Sequence, residues 1–142
     1  MKVDAIVKAA NTQLLAGGGV CGAIFRSAGS SELQAACDKV SPIKTGEAVA
    51  TPAFKLNSKM IIHTAGPVWN GGSKNEIELL KNCYTNSLKI AVENDCKSIA
   101  FPLISSGIYG VPKDIAMDSA KTAIKNFLQT ADIEVYLVLF GI

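Results

Sequence analysis

The chain holds a single histidine, His63, and four cysteines, Cys21, Cys37, Cys83 and Cys96, none of them at CxxC spacing. Zinc sites need clustered Cys and His ligands, so a zinc site is not expected and no metal is assigned. No cofactor is assigned either. Widely separated thiols fit a reducing compartment, here taken as the cytoplasm. No GxxxxGK[ST] motif is present, which excludes a P-loop NTPase, and no dinucleotide fingerprint opens directly from a strand. Charge of one sign is lacking as well. Lys+Arg number 14 against Asp+Glu 12, for a formal net charge of +2. That balance points to neither nucleic acid nor a membrane surface as partner. No apolar run approaches the ~20 residues that span a bilayer. The opening MKVDAIV carries an acid inside its first apolar run and has no cleavage-site pattern, so no signal peptide is read. Repeats, linkers and low-complexity segments are missing.

What is present is apolar and evenly spread. Hydrophobic residues make up 49% and charged ones 18% of 142 residues, which is enough to bury a core in one domain, residues 1–142. Residues 3–7 read as a buried strand and 22–28 as a helix. Ser30 and Ser31 are placed to cap a short helix at 32–39, stopped by Ser41-Pro42. Residues 47–51 and 59–64 read as strands. The clearest helix is 75–93, with Ile77, Leu80, Tyr84, Leu88 and Ala91 recurring at three- and four-residue spacing. Residues 98–104 form a continuous apolar run, the sign of a strand buried on both faces. A helix at 114–128 and a strand at 133–142 complete the alternation. Strands alternating with helices predict an α/β fold with a mostly parallel sheet covered on both faces.

Two stretches carry the chemistry. In the first, a buried strand leads through Asn11 to Gly17, Gly18 and Gly19, and Gly22 opens an apolar helix. Glycine lacks Cβ, so backbone N–H groups there can come close to an anion, and the first turn of the next helix adds its own. The second, FPLISSGIYGVPKD over 101–114, has the same grammar: buried strand, Ser105, Ser106, Gly107, Gly110, then a helix led by Pro112. Ligands of open α/β sheets sit at the carboxyl ends of the strands, so two such loops at one edge would wall a single cleft. An ordinary turn with no ligand, in which Asn11 bonds its own backbone, is the competing reading. His63, Trp69 and Phe101 read as packing or hydrogen-bonded structural residues, and Cys37, Cys83 and Cys96 as core fillers. Lys113 and Asp114 read as a solvated first turn.

VDAIVKAAN, GGGVCGAIFRSAG, IIHTAGPVW and FPLISSGIYGVPKD, in this order over nearly the whole chain, resemble the macrodomain family of the bacterial type. The resemblance implies a three-layer α/β/α sandwich with a mixed, mostly parallel sheet, and a cleft for ADP-ribose or an ADP-ribosylated protein. By that resemblance Asn11 contacts the distal ribose. Gly18, Gly19, Val20, Gly22 and Ile24 wall the diphosphate on one side, and Ser105, Ser106, Gly107, Ile108, Tyr109 and Gly110 on the other. Tyr109 lies near the distal ribose, and Phe140 stacks on adenine.

The chain departs from the family pattern in four ways. Lys8 stands where asparagine is usual, and Cys21 where hydrolytic members often carry an aspartate that helps activate water. A thiol, with an ordinary pKa of ~8.5, is a poor general base near pH 7. No counterpart of the family's first strand and its adenine-reading acid precedes Val3, and the terminal helix is missing after Phe140. The expectation is a shortened domain whose open sheet edge promotes self-association. Asn11 and Cys21 are the candidate catalytic residues. The expected function is ADP-ribose binding with weak or no hydrolysis. The alternatives are an ADP-ribosyl hydrolase, an O-acetyl-ADP-ribose deacetylase or an ADP-ribose 1''-phosphate phosphatase, or a domain that has lost its ligand.

Overall fold

A computed structural model describes residues 2–15, 19–107 and 109–139, with the backbone alone at residues 19–21. The elements run β1 (Ala5–Ala10), α1 (Gly19–Ala28), α2 (Ser30–Val40), β2 (Ala48–Pro52), β3 (Met60–Ala65), α3 (Glu76–Glu93), β4 (Ser98–Pro102), α4 (Lys113–Leu128) and β5 (Glu134–Val138). The sheet order is β2-β3-β1-β4-β5. Only β2 is antiparallel to its neighbour; β3, β1, β4 and β5 run parallel. The sheet is therefore mixed and mostly parallel, as expected.

Side chains of adjacent strand residues point to opposite faces, and β3 shows the consequence. Ile61 belongs to one core, with Phe25 and Ala28 of α1 and Leu33 and Cys37 of α2. Ile62 belongs to the other, with Leu80, Tyr84 and Leu88 of α3 and Ala116, Ala120 and Ala123 of α4. Two helical layers thus sandwich the sheet, giving the α/β/α architecture. None of the helices among the described residues is long and apolar enough to cross a membrane.

Several boundaries differ from the sequence reading. The first strand lies at 5–10 rather than 3–7, because it continues through the charge at Lys8. Lys8 is fully buried, and its Nζ sits 4.9 Å from the centroid of the Phe25 ring, so the aromatic face takes the cation. Helix α1 starts at Gly19, three residues before the expected Gly22. Ser30 and Ser31 are the first residues of α2 and do not cap it; Gly29, at φ 108, is the cap, with no side-chain hydrogen bond. Ile77, placed on the apolar face of its helix by periodicity, is 39% exposed. Strand β4 ends at Pro102, short of Ile104, and β5 is shorter than the expected 133–142.

A polar cluster is enclosed on the α1/α2 side. His63 is opposite Lys8 in the β1–β3 register and fully buried. Its Nε2 lies 2.8 Å from Thr51 Oγ1 and 3.8 Å from Cys37 Sγ. Burial, helped by the nearby Lys8 charge, lowers the His63 pKa from 6.5 to about 3. The ring is thus a neutral structural group and no base. The other face is tied by Tyr84. Its hydroxyl accepts from Ile104 N–H at 3.0 Å and donates to Pro102 O at 3.2 Å, joining α3 to the chain leaving β4.

Two outcomes follow from these contacts. Tyr84→Phe leaves the buried Ile104 N–H without its acceptor, and urea unfolding is expected to show a loss of about 1–3 kcal/mol. A loss under about 0.5 kcal/mol would mean the hydroxyl is not a tie. His63 sets an acid slope. Above about pH 6.5 both folded and unfolded states hold a neutral ring. Below it the unfolded chain takes a proton that the folded chain refuses, so stability falls as pH drops, by up to ~1.4 kcal/mol per pH unit. His63→Gln is expected to flatten the stability profile between about pH 6.5 and pH 5, before most carboxylates titrate.

Candidate functional site

Strands β3, β1 and β4 are parallel neighbours, so the segments that follow them all leave from one edge of the sheet. Strand β1 pairs with β3 at six positions, from Ala5↔Met60 to Ala10↔Ala65. With β4 it pairs only at Ala5↔Ile99 and Ile6↔Ala100. Beyond Ile6 the two strands part, between the two segments that carry the glycine loops. The chain order also reverses there, since β1 connects toward β2 and β3 on one side while β4 leads to β5 on the other. Such a switch point is where open α/β sheets admit ligands.

The first wall begins at Asn11. Its Oδ1 accepts from Leu15 N–H at 3.1 Å and its Nδ2 donates to Leu15 O at 3.4 Å. Leu14, fully buried at φ 55, anchors the turn from below, and its carbonyl accepts from Gln34 Nε2 at 3.2 Å. Asn11 therefore bonds its own turn, through contacts that lie exposed at the surface. Gly19, Val20, Cys21 and Gly22 form the first turn of α1, which contains no acidic residue. Its N–H groups face no carboxylate of their own helix turn. Gly17, Gly19 and Gly22 do have the G-x-G-x-x-G spacing. Six residues, 11–16, stand in the sequence between β1 and the first of these glycines, unlike the tight strand-to-helix turn of the dinucleotide fingerprint. Ile24 is partly buried against the α1/α2-side core.

The second wall follows β4. Ser105 sits at φ 64, 9% exposed, and Val111 N–H donates to its carbonyl at 2.9 Å. Its Oγ has no hydrogen-bond partner among the described residues. Ser106 Oγ donates to Leu103 O at 2.9 Å. Gly110, at φ 80, closes the loop by donating its N–H to Gly107 O at 3.0 Å. Gly107 has no such backbone demand, and a Cβ there would meet nothing within 4 Å. Tyr109 is half-buried. Gly18, Ile108 and Phe140 lie outside the described residues.

Residues to which the sequence reading gave no part in the site join these walls. Gly66, just beyond β3, approaches the second loop so closely that a Cβ would lie 2.2 Å from Ser105 Oγ and 2.7 Å from Ile104 Cγ2. Only glycine fits there, and no pattern in the sequence signals it. Trp69 N–H donates to Tyr109 O at 2.8 Å. Glu76, at the start of α3, is 2% exposed and accepts three backbone N–H bonds, from Asn70 and Gly72 on Oε2 and from Lys74 on Oε1. Desolvation pushes its carboxyl up, but these donors outweigh it and hold it below the ordinary carboxylate value. No group of three or more His, Cys, Asp or Glu among the described residues could hold a metal. Cys37, Cys83 and Cys96 are buried thiols, and burial pushes Cys83 up to about 11, so these three fill cores as expected. What remains at the edge is the N-terminal turn of α1 and a glycine-bearing loop, the kind of backbone that can receive an anion.

Comparison with known proteins shows the family. The family model of the Macro domain matches residues 7–120. A macro domain-containing protein of Lactiplantibacillus plantarum is 53% identical over 138 residues, covering 97% of this chain and 78% of the relative. An O-acetyl-ADP-ribose deacetylase of Salmonella typhimurium is 46% identical over 146 residues, covering 99% and 81%. The solved Oceanobacillus iheyensis macrodomain with ADP superposes with a TM-score of 0.91 at 43% identity, covering 98% of this chain and 77% of that one. The layered sheet, the two glycine loops at its switch point and these likenesses make the chain a member of the macrodomain family.

Proposed function

We propose that the chain binds ADP-ribose, free or attached to protein, in the cleft between the two glycine loops, with weak or no hydrolysis. The end of β1–β4 pairing at Ile6↔Ala100, at the point where the strand order reverses, carries this reading, because a switch point is where an α/β sheet admits a ligand. A diphosphate needs such donors and no side-chain cation. In this reading the first turn of α1, with Gly18, Gly19, Val20, Gly22 and Ile24, takes one side of the diphosphate. Ser105, Ser106, Gly107, Ile108 and Gly110 take the other. Neither backbone angle nor packing against the described residues demands a glycine at Gly107, which fits a backbone kept bare for a ligand. Asn11 and Tyr109 meet the distal ribose, and Phe140 stacks on adenine. Asn11 would exchange its exposed bonds to Leu15 for ribose hydroxyls. The likeness to a structure holding ADP supports the diphosphate position.

Hydrolysis of an ADP-ribosyl ester is the second reading, favoured by the 46% identity to an O-acetyl-ADP-ribose deacetylase. It requires a water held at the distal ribose. Cys21, in the first turn of α1, offers a thiol where a carboxylate would make a better base. Positioning of that water by Asn11 and the ligand's own phosphate would then supply what rate there is.

Calorimetric titration with ADP-ribose is expected to give a saturable signal. Absence of heat at millimolar ligand would end the binding reading. Cys21→Asp is expected to raise the release of ADP-ribose from a modified protein by about 10-fold or more, within the range of general-base contributions. A variant that binds ADP-ribose yet stays inert would show that the missing carboxylate is not what limits hydrolysis.

A further inference from the structure

The segment 66–75 leaves β3 at the same edge as the glycine loops, yet nothing assigned so far uses it. Its backbone is folded tightly: Gly71, Gly72 and Asn75 all have positive φ, at 76, 87 and 62. That curl turns alternate N–H groups inward, and Asn70, Gly72 and Lys74 converge on one carboxylate, at 2.6, 3.0 and 2.5 Å. Convergent backbone amides of this kind make an anion nest. Here the nest is filled by the protein's own Glu76, buried at the start of α3. A carboxylate placed only to favour the helix N-terminus would need neither burial nor three donors.

The segment ends at the cleft. Trp69 packs against the α3/α4-side core, and a Cβ on Gly72 would lie 3.4 Å from its ring. Trp69 N–H then donates to Tyr109 O. Within the second loop, the bonds Gly110 N–H to Gly107 O and Val111 N–H to Ser105 O are internal. Val111 is packed in the α3/α4-side core, and the Trp69 bond ties the Tyr109 end of that loop to the segment 66–75. We infer that Glu76 is a positioning residue for the ligand cleft: it sets the segment 66–75 as a strut from α3, and the strut holds Tyr109 at the distal-ribose end. The assignment of Tyr109 to that end rests on the ADP-ribose reading above; the strut itself does not.

Glu76→Gln tests both parts, because an amide cannot accept at both ends and must turn an N–H group toward a backbone donor. Affinities for ADP-ribose and for ADP, which lacks the distal ribose, are compared by calorimetry in the full chain. ADP-ribose is expected to weaken by about 10-fold and ADP by less than about 3-fold. Equal weakening of both, or no change in either, would overturn the positioning role. Trp69 is the chain's only tryptophan. Its emission is expected to shift to the red in the variant, and an unchanged emission would overturn the strut. Should the wild-type chain bind no ADP-ribose, the function proposed above fails, and the Trp69 readout still decides the strut.

If Glu76→Gln does not fold, an NMR titration of the wild-type chain replaces it. Because the carboxyl is held low, the strut is intact at neutral pH and released as pH falls below the ordinary carboxylate value of 4.5. The amides of Asn70, Gly72, Lys74 and Tyr109 are then expected to shift together. Tyr109 staying still while the other three titrate would refute the coupling.

Discussion

Parallel pairing sends every segment that follows a strand to the same edge of the sheet, and this constraint governs the rest of the molecule. Strands β3, β1 and β4 are neighbours in one direction, so the chain leaving each of them, at Gly66, Asn11 and Leu103, starts from one rim whatever its sequence. Closeness at that rim then demands small residues. Gly66 lies against Ser105 and Ile104 across the end of β1, with no room for a methyl group. The pairing of β1 with β4, by contrast, is brief and ends at Ile6↔Ala100.

Support for the rim comes from the two helical layers. On the α3/α4 side, Tyr84 and Glu76 spend their polar atoms on main-chain groups of the loops above them. On the other side, Lys8 and His63 occupy neighbouring positions of β1 and β3, both fully buried. Burial, with the Lys8 charge adding to it, keeps His63 neutral, and the Phe25 ring offers the ammonium a favourable face. Both sets of contacts bring polar groups into apolar layers, and each is met by a specific partner, which limits how those layers can shift.

Much of the architecture was legible in the residues. The alternation of strand and helix patterns gave the α/β class, and the apolar run at 98–104 gave a central buried strand. The boundaries were less so. Lys8 hid the second half of β1, because a charge inside a strand looks like its end until the Phe25 face is seen beside it. Ser30 and Ser31 resembled caps, yet Gly29 took that place, at φ 108 and with no side-chain hydrogen bond. Ile77 satisfied a helical period but lies exposed in the first turn of α3. At the rim, Asn11 and the serine-glycine loop were visible as motifs, whereas Gly66 and Glu76 were ordinary letters.

The sequence by itself determined the layered α/β class, the family and the two glycine-bearing loops, because these depend on local patterns of apolar period, glycine and proline. Tertiary structure alone decided that Gly66 meets Ser105 across the end of β1, that His63 is sealed beside Lys8, Cys37 and Thr51, and that the segment capped by Glu76 reaches Tyr109. Each of those depends on which sequence-distant groups the sheet order brings within a few ångströms, and no single stretch of chain encodes that.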